Sequence, residues 1–275
     1  MVDITSNATR PLVQLDRLSV HFGRQQVLRD ISLQIARGET VAIIGESGCG
    51  KTVLLKTIIG LIEPSDGRVM FDGMDLIQLS EKELTRQRIR FGFLFQQAAL
   101  FDSMTVAQNI AFPLRQRTTS SEAEIRRIVF TRLAEVGLPE DIIAKKPAEL
   151  SGGMRKRVGL ARALAMEPEI MLYDEPTTGL DPIMSDVINE LILHTRQQHP
   201  VTSVVVTHDM RTAQKVADRI VMLYPLARLD PTESQILYDG PADKIDAAPD
   251  ARVSQFVAGE AGGRLMEMRA QNDGG

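Results

Sequence analysis

The chain has one cysteine, Cys49, and no tryptophan in 275 residues, and aromatic residues make up only 4% of it. A single thiol excludes an internal disulfide and suits a reducing compartment. Apolar residues reach 43%, yet no run approaches the ~18 consecutive apolar residues of a spanning helix. The chain is therefore expected to be soluble. The stretch Met1 to Pro11 is polar and lacks the apolar centre of an export signal, so a frayed N-terminus (1–11) is expected rather than a leader. There is no excess of positive charge either: the formal net charge is −4. That argues against a general nucleic-acid binder.

What the chain does have is length for a large core and strands alternating with helices. Strands are predicted over Leu12–Phe22, Asp30–Ile35, Thr40–Ile44, Gly67–Phe71, Arg90–Phe95, Glu169–Tyr173, Ser203–Val206 and Arg219–Leu223. The run Thr40 to Ile44 is apolar enough for a strand buried on both faces. Helices are predicted over Lys51–Ile59, from a capping box at Ser80 and Glu83 to Arg88, and over Met210–Ala217. From 105 to 165 the strand signal fades and helix signal dominates, with a second capping box at Ser121 and Glu124. Asp181-Pro182 starts another helix. There Ile183, Val187, Ile188, Leu191 and Ile192 recur at helical spacing and read as core. The alternation predicts an α/β fold with a largely parallel sheet and a helical insertion.

Three motifs carry chemistry. Gly45-Glu46-Ser47-Gly48-Cys49-Gly50-Lys51-Thr52 lies between a predicted strand and a predicted helix. Its glycines let backbone amides turn inward onto phosphate oxygens, and the following helix adds its positive end. Lys51 would neutralise the β- and γ-phosphates, and the Thr52 hydroxyl would coordinate Mg²⁺. Ile170 to Asp174 is an apolar strand ending in a carboxylate that would join the Mg²⁺ shell, and Glu175 would polarise the attacking water. Leu150-Ser151-Gly152-Gly153-Met154 opens a helix, predicted over Met154–Met166, whose free amides can meet a γ-phosphate from outside. The Arg155-Lys156-Arg157 run after it reads as a solvated basic face. Cys49, close to a helix N-terminus, is expected to lean toward thiolate, so that alkylation blocks ATP binding and ATP protects.

These motifs, in this order, resemble the nucleotide-binding subunit of an ATP-binding cassette (ABC) transporter over about Val13 to Asp246. The resemblance implies a phosphate-loop ATPase with a RecA-like mixed or parallel sheet core, an antiparallel β subdomain and an inserted helical subdomain. It implies a cassette over 12–246 and a C-terminal extension over 247–275. Further roles follow from it: Gln96 as a residue touching Mg²⁺ and water, His208 as a γ-phosphate contact, Asp181 as part of the loop between copies, and Phe22 as the ring stacked on adenine. Met154 departs from the family's more frequent glutamine. One half-site of each kind implies a head-to-tail dimer in which Ser151, Gly152, Gly153 and Asp181 of one copy complete the site of the other, with ATP and Mg²⁺ as cofactors.

A narrower likeness, in Phe91 to Val106 and Leu150 to Pro182, points to the Mce-associated, Mla-type transporters of bacterial phospholipid. It implies an integral-membrane permease, an Mce-type lipid-binding protein and a small regulatory subunit as partners, no nucleic acid, and a place at the cytoplasmic face of the inner membrane. Ala98-Ala99-Leu100-Phe101 is an apolar patch that a coupling helix of the permease would cover. Another cargo, or a soluble ABC ATPase of repair or translation, is the alternative, but the latter's coiled-coil or zinc insertions have no counterpart here. The loop Tyr224 to Ser234 is longer than the hairpin turn usual in this family.

Overall fold

The computed structural model describes residues 10–261, so the segment 1–9 and the tail after Ala261 lie outside the described residues. A six-stranded sheet runs in the order β10-β9-β3-β8-β7-β6. Its parallel strands are β3 (Thr40–Gly45), β6 (Phe91–Leu94), β7 (Ile170–Asp174), β8 (Thr202–Val206) and β9 (Arg219–Leu223), with β10 (Ile236–Pro241) antiparallel at the edge. Every residue of β3, β6, β7 and β8 is buried, as expected of strands covered on both faces. Successive side chains divide between layers: Ile170 and Leu172 enter one core, Met171 and Tyr173 another. Likewise Val41 and Ile43 face the first core, while Ala42 and Ile44 meet the C-terminal layer.

The first core lies between this sheet and a four-stranded antiparallel one, ordered β2-β1-β4-β5. Its strands are β1 (Val13–Phe22), β2 (Gln25–Ile35), β4 (Asp66–Phe71) and β5 (Met74–Asp75). β1 turns back at Gly23, with Phe22 facing Gln25. Hence β2 starts five residues before Asp30, in a polar stretch that carries no alternation. Helix α1 (Lys51–Ile58) packs into this core through Leu54, Leu55 and Ile58.

Helices α3 (Val106–Arg117), α4 (Glu122–Glu135) and α5 (Gly152–Leu164) fall between β6 and β7 and form a second core over the sheet. Capping boxes at Thr105/Gln108 and Ser121/Glu124 start α3 and α4, as one at Ser80/Glu83 starts α2 (Glu81–Arg88). Ser151 caps α5, so that helix begins at Gly152 rather than at Met154. Helix α6 (Pro182–Gln198) buries Ile188 and Ile192 as its spacing predicts, but Ile183 is 77% exposed. Its place in the first turn puts it beyond the core face. α7 (Met210–Val216), β10 and α8 (Ala251–Ala258) complete the third layer.

Candidate nucleotide site

The parallel strands end at one edge, and the site is built there. Glycine is required where β3 turns into α1: a Cβ on Gly45 (φ +142°) would lie 2.2 Å from the Leu223 carbonyl oxygen, and one on Gly50 (φ +100°) 2.7 Å from Leu28 Cδ2. Gly50 is also the residue before the first turn of α1, with no side-chain cap, so the helix presents free backbone donors to the loop. Lys51 is buried, and its ammonium donates to the carbonyls of Gly45 (2.8 Å) and Glu46 (2.9 Å). The turn is closed by Cys49 N–H to the Glu46 carbonyl.

Thr52 Oγ1 donates to Asp174 Oδ1 at 2.8 Å. Burial pushes the Asp174 carboxyl upward, the Thr52 hydrogen bond opposes it, and the Glu175 charge adds to the rise. A hydroxyl and a carboxylate side by side form an oxygen donor pair that suits Mg²⁺, an ion that keeps waters and phosphate oxygens in its remaining positions. Among the described residues no cluster of three or more His, Cys, Asp or Glu forms a metal cage. The donor set thus fits an ion carried in with phosphate.

Glu175 takes a left-handed backbone conformation (φ +49°), which costs a non-glycine residue of order 1–3 kcal/mol. Its N–H donates to the Val206 carbonyl (2.9 Å), its carboxylate accepts from Thr178 Oγ1 (3.0 Å), and His208 Nδ1 lies 2.8 Å from the same oxygen. His208 follows β8, so neighbouring parallel strands deliver Glu175 and His208 together. Gly45, Glu46, Ser47, Lys51, Glu175 and His208 line one cavity of about 610 Å³, whose far wall is Gln255, Phe256 and Gly259 to Ala261. Gln255-Phe256-Val257 and Gly259-Glu260 resemble the C-terminal segment of the Mla-type group, but their place in the cavity wall was not legible in the sequence.

Gln96, Phe22, Ser151, Gly152, Gly153 and Asp181 do not line this cavity. Gln96 is exposed just past β6, whose Leu94 pairs with Tyr173, so it shares the strand-end edge with Asp174. Phe22 is 50% exposed at the end of β1. Ser151, Gly152 and Gly153 open α5 against the 180–184 segment: a Cβ on Gly153 would meet Met184 Cε at 2.7 Å, and one on Gly152 lies 3.8 Å from Leu180 Cδ2. Asp181 accepts from the N–H groups of Ile183 and Met184 (both 3.0 Å), capping α6 beside them. Ser151 and Asp181 are exposed. The cavity lining thus holds Lys51, Glu175 and His208 and none of Ser151, Gly152, Gly153 and Asp181.

Two expectations are corrected. Cys49 is 1% exposed, and burial raises its thiol against the pull of Lys51, so it is a buried thiol and not a reactive thiolate. The Arg155–Arg157 run is not a solvated face: Lys156 is buried and donates to the Glu175 carbonyl (2.9 Å), and Arg157 donates to the Gly137 carbonyl. The 224–234 loop also has partners. Arg228 pairs with Glu46 (3.0 Å), and Arg29 donates to the carbonyls of Asp230 and Glu233. At its end the buried Gln235 donates to the carbonyls of Val27 and Cys49. The loop is a brace between β2 and the phosphate loop.

Residues 28–178 match the family model described as "ABC transporter". The ATP-binding protein MlaF of the intermembrane phospholipid transport system of Haemophilus influenzae is 38% identical over 252 residues, 92% of this chain and 92% of that protein. The probable ribonucleotide transport ATP-binding protein mkl of Mycobacterium tuberculosis is 42% identical over 247 residues, 90% of this chain, but the match spans only 66% of that longer protein. Among solved structures, the ATP-binding cassette MJ0796, a dimer in a post-hydrolysis state bound to ADP and Pi, superposes with a TM-score of 0.71 at 36% identity, covering 77% of this chain and 94% of that one. The cbiO1 subunit of the cbiONQ transporter from Clostridium perfringens gives 0.76 at 28% identity, covering 94% and 99%. The chain belongs to the ABC transporter family, as one of its ATP-binding subunits.

Proposed function

We propose that this chain hydrolyses ATP to drive a membrane permease that moves phospholipid between two bacterial membranes. The observation that carries the mechanism is the make-up of the cavity: Lys51, Glu175 and His208 line it, and Ser151, Gly152, Gly153 and Asp181 do not. In this reading a nucleotide meets both sets when two copies pack head to tail. The cassette then spans 12–246, with the helices of 105–165 as the arm that carries Ser151.

In this scheme the loop amides from Gly45 to Thr52 wrap the phosphates, and Lys51 turns from the carbonyls of Gly45 and Glu46 to the β- and γ-phosphates. Thr52, Asp174 and Gln96 would hold Mg²⁺, which supplies charge neutralisation at the transferred phosphoryl group. Glu175 orients and deprotonates the attacking water, with His208 beside it on the γ-phosphate side. Phe22, half exposed, offers its ring to adenine. Ser151, Gly152 and Gly153 of the second copy close the γ-phosphate with the free donors of α5, and Asp181 borders the contact. Binding joins the copies and hydrolysis releases them.

A permease is supported by the surface after β6. Ala98 and Ala99 both adopt positive φ, and Arg162 donates to both of their carbonyls at 2.8 Å. Asn109 accepts from Phe101 N–H and donates to the carbonyls of Phe101, Met104 and Thr105. This holds Phe101, 41% exposed, over a groove of about 430 Å³ lined by Phe91, Phe95 and Phe112. Such an aromatic groove, edged by Arg88, Arg117 and Arg162, is suited to an amphipathic helix, and Gln96 follows its lining residue Phe95. The full-length match to MlaF favours phospholipid as cargo. An Mce-type protein and a small regulatory subunit belong to the same reading, which puts the chain on the cytoplasmic face of the inner membrane. No described helix is long and apolar enough to cross a membrane.

A ribonucleotide cargo is the second reading, because the mycobacterial relatives are described as probable ribonucleotide transport proteins. Affinity purification of the tagged chain from gently solubilised membranes separates them. An integral-membrane permease recovered with phospholipid supports the first reading; a permease recovered with nucleoside phosphates and no lipid selects the second. Ribosomes or DNA-repair proteins alone would overturn both.

A further inference from the structure

Lys156 stands one and a half turns into α5, 5% exposed, a cation inside the protein. Burial pushes it down to about 8, against the pull of the Glu175 and Asp174 carboxylates. A buried ammonium is costly to hold where an apolar side chain would pack as well. Its hydrogen-bond partner among the described residues is a single backbone atom, the carbonyl oxygen of Glu175, at 2.9 Å. The one other described donor to that oxygen is the Thr178 N–H, at a longer 3.3 Å. The residue so gripped is the one with a left-handed backbone (φ +49°), a conformation that relaxes unless its surroundings fix it.

We propose that Lys156 is a positioning residue for ATP hydrolysis, holding the Glu175 peptide in its left-handed form so that the carboxylate faces the attacking water. The inference rests on the reading of Glu175 as the base. Glu175 is fixed at three points: its N–H on the Val206 carbonyl, its carboxylate between Thr178 and His208, and its carbonyl on Lys156. The first two tie it to the neighbouring strand β8, to His208 beyond that strand and to its own loop. Lys156 alone ties it to α5, the helix whose first residues follow the Ser151 cap. A shift of that helix against the sheet moves the grip on the base with it. Lys156 does not itself line the cavity and reaches it through the backbone carbonyl of Glu175, so ATP affinity should not depend on it.

The test compares Lys156→Met, Lys156→Arg and Glu175→Gln in the full-length chain purified with its membrane partners. Lys156→Met keeps the length and removes the donor, and its kcat should fall about 10- to 100-fold, the cost of a misplaced catalytic group. KM and the affinity for a fluorescent ATP analogue should stay within about two-fold, because a loss confined to kcat marks an interaction used after binding. Lys156→Arg, which retains a charged donor, should recover most of the rate. If Lys156→Met does not yield folded protein, Lys156→Gln replaces it, with the same split between kcat and KM expected. A wild-type rate in Lys156→Met while Glu175→Gln is inert would overturn the positioning role and leave Glu175 as base. Loss of rate together with nucleotide affinity and melting temperature, not rescued by arginine, would overturn it in favour of packing. A wild-type rate in Glu175→Gln would instead remove the base assignment beneath it.

Discussion

At the scale of single residues, surroundings decide chemistry. The Cys49 thiol is buried under the phosphate loop, where burial outweighs the nearby Lys51 charge and raises its affinity for the proton. Only the thiolate is nucleophilic, so the folded chain should resist iodoacetamide at neutral pH, whereas the urea-unfolded chain should label quickly. ATP should make no difference to the folded rate; fast native labelling suppressed by ATP would show the thiol to be open. Whether a residue can be read from sequence follows how far away its partners are. Gly45 to Thr52 and Asp174-Glu175 act through adjacent backbone and strand ends, so spacing alone exposes them. Lys156 acts on a carbonyl 19 positions away, and its neighbours Arg155 and Arg157 disguise it as part of a charged surface. Ile183 misleads in the opposite sense, since helical spacing does not reveal that the first turn of α6 overhangs the core.

At the scale of elements, the 224–235 segment is the informative case. Its length is visible in the sequence, but its partners, Glu46, Arg29, Val27 and Cys49, come from distant positions on β2 and the phosphate loop. Gln235 accepts from Arg29 N–H (2.9 Å) and donates to two carbonyls (3.1 Å each) in a dry setting. Replacing it with leucine strands these groups, and each buried polar group left unpaired costs about 1–3 kcal/mol. Gln235→Leu should therefore lower the urea midpoint by a clear margin, equivalent to about 2–4 kcal/mol once the groups partly relax. ATP affinity should fall with it, because Cys49 belongs to the phosphate loop. An unchanged midpoint would mean that the loop is an ornament and not a brace. The central strands were readable because unbroken β-branched and apolar runs suit a doubly covered sheet. The start of β2 and all of β10 were not, since polar and mixed edge strands carry little periodicity.

At the scale of the whole molecule, the account turns on two copies sharing each nucleotide. Chains carrying Lys51→Ala and chains carrying Ser151→Arg each lack one half of both sites as homodimers. A mixed dimer would recover one complete site. Mixing the two should therefore restore about one occluded ATP per dimer, while either variant alone traps none; occlusion by a single variant would contradict sharing. The central claim, that ATP hydrolysis here moves phospholipid, is tested most directly by the purified complex in proteoliposomes holding fluorescent phospholipid. Wild-type complex should redistribute the lipid to acceptor only with Mg-ATP, and Glu175→Gln complex should not. ATP hydrolysis at full rate with no lipid movement in either direction would contradict it.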